Sequence, residues 1–198
     1  MDNKETNRWS ENVIIADGEY IDKVAFDLIV NFERMIGRRI PKADTARWID
    51  CVALDGGIRE GENNTQTVFV HEKNKTEMEN FNPGKYADEL DGKAFKDHLG
   101  EFVMTSVSTE KIASKRDLIL DIIAAVCSQK DVKRVMIVPN ADDGELYELI
   151  QHTLRDVPDE KRVTVFAMQP MPGGNFRQEI LGYSLMNALG IKAEEIHD

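Results

Sequence analysis

The stretch Val135-Met-Ile-Val-Pro-Asn-Ala-Asp-Asp-Gly-Glu145 constrains the fold more than any other. A short apolar run stops in a polar turn with adjacent carboxylates, and helical spacing begins at once. An apolar strand flanked by helices belongs inside a parallel sheet, buried on both faces. Open α/β sheets place their ligands at the carboxyl ends of such strands. Asn12-Val-Ile-Ile-Ala-Asp-Gly-Glu19 repeats the design ahead of a long helix. Two strands that each end in acid predict an acidic site at one edge of one sheet.

Taken in order, residues 1–10 are polar and expected to fray. Residues 13–16 predict a buried strand ended by Asp17-Gly18. Ile21, Val24, Ala25, Leu28, Phe32 and Met35 then recur at helical spacing to Ile36, where Gly37 and Pro41 stop the helix. Residues 47–54, Arg-Trp-Ile-Asp-Cys-Val-Ala-Leu, read as a second strand. Asp55-Gly-Gly follows, and residues 65–71 return as the other arm of a hairpin. Residues 72–100 are charged, irregular and insertion-like, with a short helix expected over 87–99. Strand character resumes at 101–107, and Ser114 opens a helix to Cys127. Residues 133–138 read as the central strand, 145–154 as a helix and 162–167 as a strand. Gly173-Gly174-Asn175 is expected to open a last helix to Leu189, and residues 190–196 to add a short edge strand. This alternation predicts a three-layer α/β/α sandwich with a mainly parallel central sheet, in one domain spanning 1–198.

The formal net charge of −11 argues against a broad basic surface for duplex nucleic acid. It leaves room for a metal-dependent nuclease, because bound divalent cations invert the local field. Solubility alone also accounts for an acidic surface. No stretch approaches the roughly 18 apolar residues of a membrane span. The first residues show no basic region followed by an apolar core, so the expected location is the cytoplasm. Cys51 and Cys127 sit in apolar runs and read as buried free thiols. His71, His98, His152 and His197 show no metal-ligand spacing.

Each candidate residue carries a chemical and a structural reading. Asp17, directly after a buried strand, offers oxygen to a hard cation such as Mg²⁺, or with Glu19 favours the start of the next helix. Of Asp142 and Asp143, one ligates while the other caps, or both cap; Asn140 orients a ligand or makes an Asx-turn. Asp117 lies in the first turn of its helix with Asp121 one turn on, but Ser114-x-x-Asp117 is also a capping-box-like pattern. Asp55 fits a turn as well as a ligand. Gly173-Gly174-Asn175 fits an anion-binding helix start or a plain junction. Arg38, Arg39 and Lys42 form a compact basic cluster, for phosphate or for solvent. Phe176, Ile180, Leu181, Leu185, Met186 and Leu189 serve sheet packing or a homodimer interface.

The order of these motifs resembles the PIN-domain superfamily, especially its NYN branch of metal-dependent ribonucleases. The resemblance rests on Ile14-Ile-Ala-Asp17-Gly18, on Lys115-Arg-Asp117 and on Val138-Pro-Asn-Ala-Asp142-Asp143, and covers residues 12–167. Tyr20 stands where that family has Asn, and Pro139-Asn140-Ala141 where it has Ser-Gly-Asp. The resemblance implies a Rossmann-like fold and hydrolysis of RNA phosphodiesters. Asp17, Asp117, Asp142 and Asp143 would then hold Mg²⁺ or Mn²⁺, which lowers the pKa of a bound water and stabilises charge on the phosphate. Two other classes remain open. Asp142-Asp143-Gly144-Glu145 resembles the acidic turn of Toprim phosphoryl-transfer domains, although they carry Glu where this chain has Asp17. A non-catalytic α/β module binding a protein or nucleotide through the same edge is the other. A metal site shared by Asp17 and Asp142 separates the enzymes from the inert module.

Overall fold

The computed structural model describes residues 9–110 and 113–196. The residues up to 8, most of the segment expected to fray, lie outside it, as does His197. In chain order the elements begin with β1 (Asn12–Asp17), α1 (Gly18–Ile36), β2 (Ala43–Asp44), α2 (Thr45–Asp55), β3 (Asn63–His71), β4 (Phe81–Asn82), β5 (Ala94–Asp97) and β6 (Gly100–Ser108). They continue with α3 (Lys115–Cys127), β7 (Arg134–Val138), α4 (Gly144–Leu154), β8 (Arg162–Ala167), β9 (Arg177–Ile180) and α5 (Leu181–Ala188).

Among the described residues seven strands form one sheet, in the order β5-β6-β3-β1-β7-β8-β9. Every pairing is parallel except that of the edge strand β5 with β6. The middle place belongs to β1, all six residues of which are buried; residues 133–138, expected there, supply its neighbour β7. Successive side chains of a strand point to opposite faces. Ile14 and Ala16 therefore join a core with α1, α2 and α5, while Val13 and Ile15 join a second core with α3 and α4. This is the three-layer arrangement expected from the sequence.

Several local expectations are corrected. Residues 47–54 are helical and belong to α2. Asp44 caps this helix by accepting from the Arg47 N–H at 3.1 Å, and the buried Trp48, Ile49, Val52 and Ala53 recur with helical period. A short apolar run fits either period, and here the cap decides. Asp55-Gly-Gly is consequently a helix end and not a hairpin turn: the Gly57 N–H donates to the Leu54 carbonyl, and Gly57 adopts φ +97°. Without a preceding strand, β3 pairs parallel with β1 and β6.

The helix expected over 87–99 is a single wide turn, Tyr86–Leu90, closed by bonds five residues apart, and β5 follows it. The Gly173–Asn175 segment does not open the last helix. Arg177–Ile180 pairs with β8 as β9, and α5 starts at Leu181. The tail forms a short 3₁₀ turn, Ala193–Glu195, rather than an edge strand. It is tied down by Arg38, whose guanidinium contacts Glu195 at 2.7 and 2.9 Å and the Gly190 carbonyl at 2.9 Å. Arg38 is thereby committed to the fold, not to a ligand. Sheet packing accounts for Leu181, Leu185 and Leu189, which are buried in the first core. Cys127 is a buried free thiol, whereas Cys51 is only half-buried. Among the described residues no helix is long and apolar enough to cross a membrane.

Candidate functional site

Parallel pairing brings the carboxyl ends of β1, β3, β6 and β7 to one edge, with the amino ends of α1, α3 and α4 beside them. Asp17 is the deepest group there, only 2% exposed. It caps α1 by accepting from the Tyr20 N–H at 3.1 Å. Its other partner is the Lys115 ammonium, 3.1 Å away, which also lies 3.3 Å from Glu19. Burial pushes the Asp17 carboxyl above its usual range and outweighs the opposing pull of Lys115. Burial alone would lower Lys115, but Asp17 and Glu19 together hold it raised.

Asp142 and Asp143 are each engaged separately. Asp142 accepts from the Tyr20 hydroxyl at 2.9 Å. Burial, then this hydrogen bond, raises the Tyr20 phenol. Asp143 caps α4 by accepting from the Leu146 N–H at 3.2 Å, and its second oxygen takes the Arg116 guanidinium at 2.6 Å. Arg116 holds the Asp143 carboxyl below its ordinary range, and also reaches Glu145 at 3.2 Å. Asp117 is exposed; its backbone N–H donates to the Ser114 cap at 3.1 Å. Asn140 makes an Asx-turn to the Asp142 N–H at 3.1 Å.

On the β3 side, Glu19 accepts from the Glu72 N–H, and Glu72 in turn accepts from the Thr109 hydroxyl at 2.9 Å. His71 stacks on Tyr86 with ring centroids 3.8 Å apart. Among the described residues the Tyr86 hydroxyl is buried without a partner, against Gly18, where any side chain would collide with it.

This donor set does not fit the metal that the sequence resemblance implies. A shared divalent ion needs several oxygens facing one point. Here an ammonium lies against Asp17, a phenol takes Asp142, and a helix amide with a guanidinium takes Asp143. Among the described residues no three Asp, Glu, His or Cys side chains group closely enough to hold a metal ion.

Lys115, Arg116 and Tyr20 are the site residues that the sequence reading passed over. A signal existed for two of them. Cations in the first turn of a helix oppose its dipole, so Lys115-Arg116 directly after the cap Ser114 implies acids nearby to hold them.

These features define an α/β domain with an acid-rich carboxyl edge closed on a half-buried lysine. The chain belongs to a family of unknown function, DUF6621, which it matches over residues 6–196. No curated protein and no solved structure matches it.

Proposed function

We propose that this domain is a non-catalytic binding module whose carboxyl edge docks a basic segment of a protein partner. The observation that carries the reading is Lys115, a half-buried cation held between Asp17 and Glu19. It neutralises the deepest carboxylates and leaves a surplus of acid at the rim. Glu72, Asp142, Asp143 and Glu145 lie at that rim, against Arg116. A rim of one sign steers and selects a partner of the other.

The test is calorimetry with Mn²⁺ and with a lysine-rich peptide, on the wild type and on an Asp17→Asn/Asp142→Asn pair. The reading expects no saturable Mn²⁺ binding by the wild type. It also expects peptide binding that weakens with salt and in the paired variant. Saturable Mn²⁺ binding, lost in a paired variant that keeps its fold, would overturn it in favour of the RNA-hydrolysing enzyme. One contact supports that second reading: Tyr20 joins Asp17 through its amide and Asp142 through its hydroxyl, holding the two carboxylates on one residue.

A further inference from the structure

The opposite edge of the sheet carries the opposite charge. A cavity of about 730 Å³ opens among the amino ends of β1, β3, β7 and β8 and the carboxyl end of α3. Among the described residues Lys130, Lys133, Arg134, Lys161 and Arg162 line it, against Glu11 and Glu160, in a chain whose net charge is −11. Among the described residues none of these five cations lies in an ion pair. Lys161 donates to the Gln129 carbonyl and so completes the end of α3. The other four cations have no such structural duty toward a helix end.

Arg134 and Arg162 both line this cavity. They are register partners on the adjacent parallel strands β7 and β8, so their side chains leave the same face of the sheet. Like charges directly opposite each other destabilise a sheet. Burial, then Arg162, then Arg59, pulls the Arg134 guanidinium below its ordinary pKa. Among the described residues its Nε is buried without a partner, and its guanidinium makes one hydrogen bond, to Asn12 Oδ1 at 3.3 Å. Two guanidinium forks with unspent donors on one concave surface, Arg134 half-buried and Arg162 exposed, suit phosphate oxygens better than any other common ligand group. The volume falls within the range of small-molecule sites.

We propose that this amino-edge pocket binds a phosphate-bearing small molecule of about mononucleotide size, with Arg134 and Arg162 holding the phosphate. The bound anion removes the repulsion between the two arginines, so binding also stabilises the sheet.

Calorimetric titration at low salt with sodium tripolyphosphate, ATP and adenosine tests this on the full chain. Saturable binding of tripolyphosphate or ATP is expected, weakened about tenfold or more in Arg134→Gln and in Arg162→Gln. Arg39→Gln, an exposed site away from the pocket with the same charge change, should bind like the wild type. Adenosine should not bind alone. ATP binding more tightly than tripolyphosphate would identify a nucleotide, and equal affinity a bare phosphate chain. Amide shifts of the wild type at Lys133, Arg134 and Arg162 on adding tripolyphosphate keep the test valid if a variant misfolds. No saturable heat with either phosphate ligand, or wild-type affinity in both folded arginine variants, would overturn the proposal.

Discussion

Lys115 decides what the carboxyl edge can be. Its side chain is 21% exposed, and it faces an aspartate that is 2% exposed. Removing one member of such a pair leaves an uncompensated buried charge, which costs far more than the pair itself contributes. Lys115→Met is therefore expected to lower stability by about 3 kcal/mol at neutral pH, measured by urea denaturation. Without the ammonium, Asp17 takes up a proton more readily, so the deficit should shrink as pH falls. Combining Lys115→Met with Asp17→Asn should recover most of the loss, because the second change removes the charge the first has stranded. A deficit independent of both pH and Asp17 would place the effect in packing alone.

At the scale of elements, α2 shows a single polar side chain setting the structure of an ambiguous run. Trp48, Ile49, Val52 and Ala53 are fully buried, so the helix is held by its face once formed. Its start depends on Asp44, which satisfies an amide that no helical carbonyl can reach. Asp44→Ala is expected to cost about 1 kcal/mol, seen as a lower urea midpoint at unchanged slope. The same logic applies at the carboxyl edge. Asp17, Ser114 and Asp143 cap α1, α3 and α4, so three helices begin there on polar side chains that also face the site. Capping and site chemistry draw on the same residues, and the structure assigns most of their hydrogen bonds to capping.

For the whole molecule, the polarity of the sheet matters as much as its topology. Acid gathers at the carboxyl edge and base at the amino edge, while the two apolar cores between them are formed by the two faces of β1 and its neighbours. Stability should fall as pH rises through the weakly acidic range. Burial first, and then the neighbouring Asp97, push the Asp50 carboxyl up to about 7. In the unfolded chain the same group ionises near about 4. Between these values the native state binds the extra proton, so raising the pH favours unfolding until about pH 7. Asp17 adds a slope of the same sign, since its native pKa is also raised. Asp50→Asn mimics the protonated form and should flatten part of this dependence in denaturant melts at stepped pH. An unchanged slope would show that Asp50 ionises freely in the native state.

Strands buried on both faces were legible in the chain because burial leaves short, mostly apolar runs: residues 13–16, 135–138 and 163–167 all lie in parallel strands of one sheet. The long helices that follow 17 and 143 were legible from periodicity and from their caps, and the acids at the carboxyl edge from their place directly after strands. The edge strand β9 was not legible, since its residues, Arg-Gln-Glu-Ile, are exposed or half-buried and owe their conformation to pairing with β8. The partners of β3 were not legible either, because strand pairing joins segments with no local signal in common.

The sequence by itself determined the α/β class and which residues end at an edge, because hydrophobic period and capping act within a few residues. Only the tertiary structure decided that Lys115 closes the acidic edge and that Arg134 faces Arg162 across β7 and β8. Coulomb energy depends on separation through space and on loss of water, and both are set only when the sheet has formed.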